Sequence, residues 1–120
     1  MVAPNGARKG HAEHHNLPLT AEAIAADALA CKTAGAQAVH MHVRDADGRH
    51  TLDAARYLAA TEAVRQLTGP EFVVQITTEA VGIFSPDEQI AVVRAVRPEA
   101  VSIATKELIP DPSAESAAAD

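Results

Sequence analysis

The sequence is poor in aromatic residues: tryptophan is absent, and aromatics make up 2% of its 120 residues. A core without large rings has to be built from Val, Ile, Leu and Ala, which is typical of sheets covered by helices. The chain also lacks a basic stripe, since its 10 Lys and Arg residues are scattered and the net charge is −6. Without basic patches or rings on which bases could stack, a nucleic-acid-binding protein is not expected.

Cysteine occurs once, at Cys31, so no disulfide can form within the chain. This usage fits a reducing cytoplasm. No apolar run is long enough to cross a bilayer, and the amino terminus has no apolar segment of the kind found in signal peptides. Because 48% of the residues are hydrophobic, the chain can still bury a core. We therefore expect a soluble cytoplasmic domain without a membrane partner.

Glycine-rich phosphate-binding motifs are also missing, because "GARKG" has neither Walker nor G-x-G-x-x-G spacing. The pattern that is present alternates strands with helices. A short apolar start and the runs "AQAVHMHV", "EFVVQITT" and "PEAVSIAT" predict four strands, and three helical stretches lie between them. Helix starts are predicted at Thr20 and Ser85, and helix ends at Gly35 and Gly69. This order predicts an α/β fold with a parallel sheet.

The stretch "AVHMHV" contains the first sign of chemistry. Residues two apart on a strand point to the same face, so His40 and His42 should project together near the carboxyl end of their strand. Ligand sites of parallel α/β folds gather at that edge, and imidazole nitrogens are good zinc ligands. The alternative, which the spacing leaves open, is a pair of hydrogen-bonded core histidines.

Other polar residues near the strand ends predict the rim of an active site. Arg44 could bind a carboxylate or form a salt bridge between loops, and Asp45 could orient a histidine. His50 is expected at the surface of a turn, and the "HAEHH" histidines His11, His14 and His15 are expected to be solvated. The other candidates are those that follow or end the remaining strands: Asn5, Gly6, Arg8, Gln75, Thr77, Thr78, Glu79, Lys106 and Glu107.

The motifs "NLPLT", "HMHVRDADGRH" and "RPEAVS", in this order, resemble those of the β-keto acid cleavage enzymes, and the resemblance extends to Asp111. It implies a zinc-dependent (β/α)₈ barrel, homo-oligomeric in the full-length family. Such an enzyme converts a β-keto acid and acetyl-CoA into acetoacetate and a new CoA thioester. The resemblance also implies that His40 and His42 bind zinc and that Thr77 contacts the substrate.

Two positions depart from the family. Glu107 stands where some members carry a threonine, and Arg8 where some carry a glutamate. These two residues and Arg44 are interpreted as substrate-binding residues of a subgroup that takes a differently charged β-keto acid. The glutamate that the family uses as the third zinc ligand has no matching position, and no catalytic residue is assigned.

Chain length bears on the same interpretation, since a (β/α)₈ barrel needs about 250 residues. We expect residues 1–111 to form the amino-terminal half of such a barrel, with about four strands and three helices, and residues 112–120 to be a frayed tail. Two alternatives to an active enzyme remain open. One is an inactive or complementation-dependent fragment, and the other is a different metal-dependent C–C lyase on the same scaffold.

Overall fold

The structure, a computed structural model, describes residues 1–109, in which helices alternate with short strands. The helices are α1 (Ala21–Thr33), α2 (Ala54–Thr68), α3 (Pro86–Val96) and α4 (Thr105–Leu108). The strands are β1 (Ala38–His40), β2 (Val43–Arg44), β3 (His50–Thr51), β4 (Val73–Thr77) and β5 (Ala100–Ser102). The predicted domain boundary at residue 111 and the predicted tail at 112–120 lie outside the described residues.

Three strands form a parallel sheet in the order β1-β4-β5. The register pairs His40 with Gln75 and Thr77 with Ser102. The predicted α/β alternation with a parallel sheet is therefore confirmed. Because the strands run in the same direction, their carboxyl ends share one edge of the sheet. The residues that follow each strand are thus brought together there.

The predicted first strand is reduced to a single bridge between Val2 and Val39. The Val2 N–H donates to the Ala38 carbonyl at 3.0 Å, and the His40 N–H donates to the Val2 carbonyl at 2.7 Å. Pro4, two residues after Val2, has no N–H to donate, which limits how far such pairing can extend. The amino-terminal segment nevertheless lies beside β1, at the far side from β4.

The prediction of one strand through both histidines is wrong. Strand β1 ends at His40, and Val43 begins an antiparallel hairpin that pairs β2 with β3. The Asp45 carboxylate accepts hydrogen bonds from the N–H groups of Asp47 and Arg49, at 2.9 and 3.0 Å. These local bonds stabilise the turn and favour a hairpin over continued pairing in the parallel sheet. They also replace the predicted role of Asp45 as a partner for a histidine.

Local capping explains where the helices begin. Thr20 and Ser85 accept hydrogen bonds from the N–H groups of Ala23 and Glu88, as predicted for the starts of α1 and α3. Asp53 caps α2 in the same way, by accepting from the Ala55 N–H. The helix starts are predictable because each depends on a polar side chain within three residues.

The core lies between the parallel sheet and helices α1 and α2. Its buried members include Ile24, Val39, Met41, Tyr57 and Ile76. Burial raises the pKa of the Tyr57 phenol, so its hydroxyl stays protonated and donates to the Thr77 carbonyl at 3.0 Å. This bond ties α2 to the carboxyl end of β4. Among the described residues, no helix is both long and apolar enough to cross a membrane.

Candidate metal centre

The two histidines of the H-x-H motif converge at the carboxyl edge of the sheet, although no single strand contains both. Their Nε2 atoms lie 3.2 Å apart, and the ring planes are inclined by 74°. Nitrogens about 2.0–2.1 Å from a tetrahedral zinc ion are separated from each other by about 3.3 Å. The spacing of the two atoms therefore fits coordination of one ion without rearrangement.

The tautomer of the neutral His40 ring is set by a side chain of β4. The His40 Nδ1 lies 2.7 Å from the Gln75 Oε1, an amide oxygen that can only accept. His40 therefore carries its proton on Nδ1 and presents an unprotonated Nε2 toward His42. Gln75 is the direct register partner of His40 in the sheet, which is why its side chain reaches the ring.

The Nδ1 of His42 has no hydrogen-bond partner among the described residues, but a carboxylate lies near it. The His42 side chain is 5% exposed, and its Nδ1 lies 3.6 Å from a carboxylate oxygen of Glu79. A carboxylate only accepts hydrogen bonds, so a proton on Nδ1 is the favourable arrangement. Both Nε2 atoms then point their lone pairs at the same place, and this repulsion is relieved by a cation between them.

A shared proton is a poor substitute for a metal ion in this position. Burial, followed by the charges of His50, His40 and Arg44, lowers the pKa of His42 to about 3. The ring is therefore neutral at neutral pH and presents a lone pair instead of a proton. The other possibility is a plain hydrogen bond from His42 Nε2 to His40 Nε2, which would leave an unprotonated Nδ1 facing the Glu79 carboxylate. The residues present thus fit a metal ion better than an isolated histidine pair.

Two of the predicted substrate-binding residues share a cavity with His40. A cavity of about 400 Å³ is lined by His40, Thr77, Glu79 and Glu107, together with Ser102 and its neighbours. The Thr77 Oγ1 accepts a hydrogen bond from the Glu79 N–H at 3.1 Å, so its own hydrogen can be donated to another group. Glu107 accepts from the Ala80 N–H at 2.9 Å through one carboxylate oxygen. A larger cavity of about 730 Å³ lies against α1, α2 and the hairpin, but neither His40 nor His42 lines it.

The remaining two predicted substrate-binding residues lie elsewhere. Arg8 is exposed on the amino-terminal loop and does not line the 400 Å³ cavity. Arg44 is 4% exposed, and its guanidinium donates to the carbonyls of Gly6, Lys9 and Gly48. Burial lowers the pKa of Arg44. In the described part of the chain, Arg44 forms no salt bridge, and its N–H groups hydrogen-bond main-chain carbonyls of the loops.

The position of His50 differs most clearly from the one predicted from the sequence. His50 was expected at the surface, but it is 7% exposed, and its ring centroid lies 5.2 Å from that of His42. Its Nε2 donates to the Glu79 carbonyl at 2.7 Å, so His50 helps to hold the segment that carries Glu79. Burial lowers its pKa, against the raising effect of that hydrogen bond. The exposure expected for His11, His14 and His15 is confirmed.

Sequence reasoning also missed how Gln75 and Asn5 contact the histidines. Gln75 was noted only as sharing a strand face with Thr77, and Asn5 only as a residue of the rim. Asn5 is buried and hydrogen-bonds the main chain of His42. The signal for Gln75 is its register with His40, which a sequence does not display.

Two nitrogens do not complete a zinc coordination sphere. Within residues 1–109, no group of three or more His, Cys, Asp and Glu side chains is arranged to hold a metal ion. Zinc sites in enzymes use three protein ligands and an open position. The remaining ligands would have to come from water, substrate or residues other than those described.

Comparison with known proteins gives a consistent result. The family model for beta-keto acid cleavage enzyme matches residues 1–117. Two curated relatives are both named 3-keto-5-aminohexanoate cleavage enzyme. The one from Fusobacterium nucleatum is 39% identical over 68 residues, which are 55% of this chain and 25% of the relative. The one from Acetoanaerobium sticklandii is 30% identical over 92 residues, which are 76% of this chain and 33% of the relative. The chain thus matches a quarter to a third of the length of these relatives.

Proposed function

The chain belongs to the beta-keto acid cleavage enzyme family, and on this premise we propose that it serves zinc-dependent cleavage of a β-keto acid. The reaction would use acetyl-CoA and give acetoacetate and a new CoA thioester. The observation that carries the proposal is the 3.2 Å separation of the His40 and His42 Nε2 atoms. We further propose that the parallel sheet is part of a (β/α)₈ barrel, in which such sites lie at the carboxyl edge.

His40 and His42 would hold the zinc, with the Gln75 amide oxygen 2.7 Å from the Nδ1 of His40 and the Glu79 carboxylate 3.6 Å from the Nδ1 of His42. Bound zinc would supply a Lewis acid that polarises the carbonyl of the keto acid. Thr77 can donate its hydroxyl hydrogen to a substrate oxygen, since its oxygen already accepts from the Glu79 N–H. Glu107 has one carboxylate oxygen on the Ala80 N–H, and the other would contact a polar group of the substrate. Arg8 stays a predicted contact from the loop.

A second candidate function is that of a metal-holding part that works only with a complementing chain. It is favoured by the finding that residues 1–109 offer no third ligand for the ion. The partner would then supply a carboxylate to the open side of the histidine pair. Both candidates require the same zinc ligands and differ in whether this chain alone is active.

Metal binding tests what the two candidates share. We expect the full chain to bind one zinc ion, measured by competition with a chromogenic chelator, and the double variant His40→Ala, His42→Ala to lose that binding. The matched control is His14→Ala, His15→Ala, which removes two exposed imidazoles and should bind zinc as the wild type does. Equal binding by the wild type and the His40/His42 variant would contradict the proposal.

Isotope labelling tests the reaction. With acetyl-CoA labelled in its acetyl group and a panel of β-keto acids, label should appear in the acetyl half of acetoacetate, while the keto acid's acyl group becomes the thioester. Cleavage without acetyl-CoA would indicate a different C–C lyase. Labelled acetoacetate formed only after addition of a chain carrying the rest of the family domain would support the second candidate.

A further inference from the structure

The main chain of His42 lies where the sheet provides no partner. Strand β1 ends at His40 and β2 begins at Val43, so the polar groups of residue 42 belong to neither ladder. Buried main-chain groups without hydrogen bonds are costly. Without other hydrogen bonds, the main chain of His42 would be free to change its conformation, and the imidazole would move with it.

A side chain from the amino-terminal loop fills this gap. The Asn5 Oδ1 accepts from the His42 N–H at 3.1 Å, and its Nδ2 donates to the His42 carbonyl at 2.7 Å. The same Nδ2 also donates to the Pro18 carbonyl at 3.1 Å. Asn5 is 5% exposed, and its carboxamide satisfies both polar groups of His42 as a neighbouring strand would.

Asn5 is itself held by a residue of the hairpin, Arg44 of β2. The Arg44 guanidinium donates to the carbonyls of Asn5 at 3.3 Å, Gly6 at 2.9 Å and Lys9 at 2.8 Å. Gly6 has a φ of +61°, a conformation that glycine adopts without strain. The two segments are thus bound in both directions, since Asn5 holds the main chain of His42 and Arg44 holds the main chain around Asn5.

We propose that Asn5 is a positioning residue that fixes the His42 imidazole for metal binding, and that Arg44 acts through Asn5. The inference rests on the proposed function only where it concerns the metal. The hydrogen bonds of Asn5 to the main chain of His42 exist without it. Asn5→Asp keeps the volume and one acceptor oxygen but replaces the Nδ2 donor with an oxygen that faces two carbonyls. That variant therefore removes the positioning with the least change in packing.

The experiment uses Co²⁺ as the probe, because its visible absorption reports coordination geometry as well as affinity. In the full chain, Asn5→Asp should weaken Co²⁺ binding by about 10-fold or more, change the absorption spectrum and speed hydrogen exchange at the His42 amide. The control is Thr68→Val, which deletes a buried hydroxyl bonded to the Val64 carbonyl at the far end of α2. It should lower stability and leave Co²⁺ affinity, the spectrum and the relative protection of the His42 amide unchanged.

Wild-type affinity and spectrum in Asn5→Asp would overturn the inference. If the wild type binds no Co²⁺, the proposed function fails, and amide exchange decides the inference by itself. In that case, a His42 amide that exchanges equally slowly in Asn5→Asp and the wild type overturns it, and selective loss of protection supports it. Asn5→Ala is a second variant that should give the same direction of change wherever it folds.

Discussion

At the scale of single residues, the histidine pair depends on the atoms behind it. An imidazole binds a metal through an unprotonated nitrogen. The group that faces the other ring nitrogen therefore decides whether the metal-facing nitrogen is free of its proton. Gln75 provides this for His40 at 2.7 Å, and Glu79 faces His42 at 3.6 Å. The shorter contact makes Gln75 the stronger determinant and the better residue to test.

We expect Gln75→Leu to lower zinc affinity by about 10- to 100-fold, because the Nδ1 proton of His40 loses its acceptor. Competition titration with a chromogenic chelator measures this. Gln66→Leu is the matched control, since Gln66 is exposed on α2 and, within residues 1–109, its side chain hydrogen-bonds Glu62 alone. Zinc affinity that Gln75→Leu leaves unchanged would show that the amide does not set the tautomer.

How far the sequence predicts the site depends on the distance over which each contact acts. The convergence of His40 and His42 is predictable because alternate residues of an extended segment share a face. The roles of Gln75 and Asn5 are not, since they depend on strand register and on a contact across 37 positions of the chain. His50 was misassigned because a turn motif does not tell which side of a hairpin is covered.

At the scale of helices and strands, Glu99 connects three elements. One of its carboxylate oxygens accepts from the Val74 N–H of β4 at 2.6 Å and from Arg65 of α2 at 2.9 Å. Glu99 immediately precedes β5. Burial raises the pKa of this carboxyl, but the Val74 hydrogen bond and Arg65 together outweigh it, so the pKa lies below its ordinary value. The ionised form is therefore stabilised by folding.

Since the folded pKa is depressed, the stabilisation by Glu99 is present above the unfolded pKa of about 4.3 and is lost as pH falls through the folded value. Glu99→Gln should lower the free energy of unfolding at neutral pH by at most about 1 kcal/mol, because the pair is partly exposed and solvent screens it. Urea unfolding at neutral pH and below about pH 4 measures the difference, which should shrink in acid.

Glu62→Gln is the control for this pH dependence. Glu62 is exposed on α2, so its replacement should change the free energy of unfolding little at either pH. A difference between wild type and Glu99→Gln that persists or grows in acid would contradict the assignment of a depressed pKa.

Elements were predictable where their signals are local. Thr20 and Ser85 mark helix starts because a capping side chain bonds an N–H three residues away. The break after His40 was not predictable, because "AVHMHV" has the same apolar pattern whether it forms one strand or two. The decision comes from the turn at Asp45 and from Asn5, which satisfies the main chain in the gap.

At the scale of the whole molecule, the parallel sheet formed by residues 1–109 ends at an edge strand. In the order β1-β4-β5, β5 has a neighbour on one side only within the described residues. Ile103 and Ile109, which follow β5, are largely exposed. An edge strand that is followed by exposed apolar side chains pairs readily with another chain. The alternation of strands and helices was predictable, but the packing of this edge depends on partners that a sequence pattern does not specify.

We therefore expect the full chain to associate through the β5 edge, with a mass that rises with concentration in size-exclusion chromatography coupled to light scattering. Ile103→Lys places a charge beside that edge and should shift the distribution toward monomer. Ile83→Lys is the control, because Ile83 is also exposed but belongs to the segment that follows β4 and not to the segment that follows β5. The melting temperature should rise with protein concentration for the wild type and for Ile83→Lys, because association stabilises the folded state. A compact monomer with cooperative, concentration-independent melting would contradict association, and equal shifts by both lysine variants would place it elsewhere on the surface.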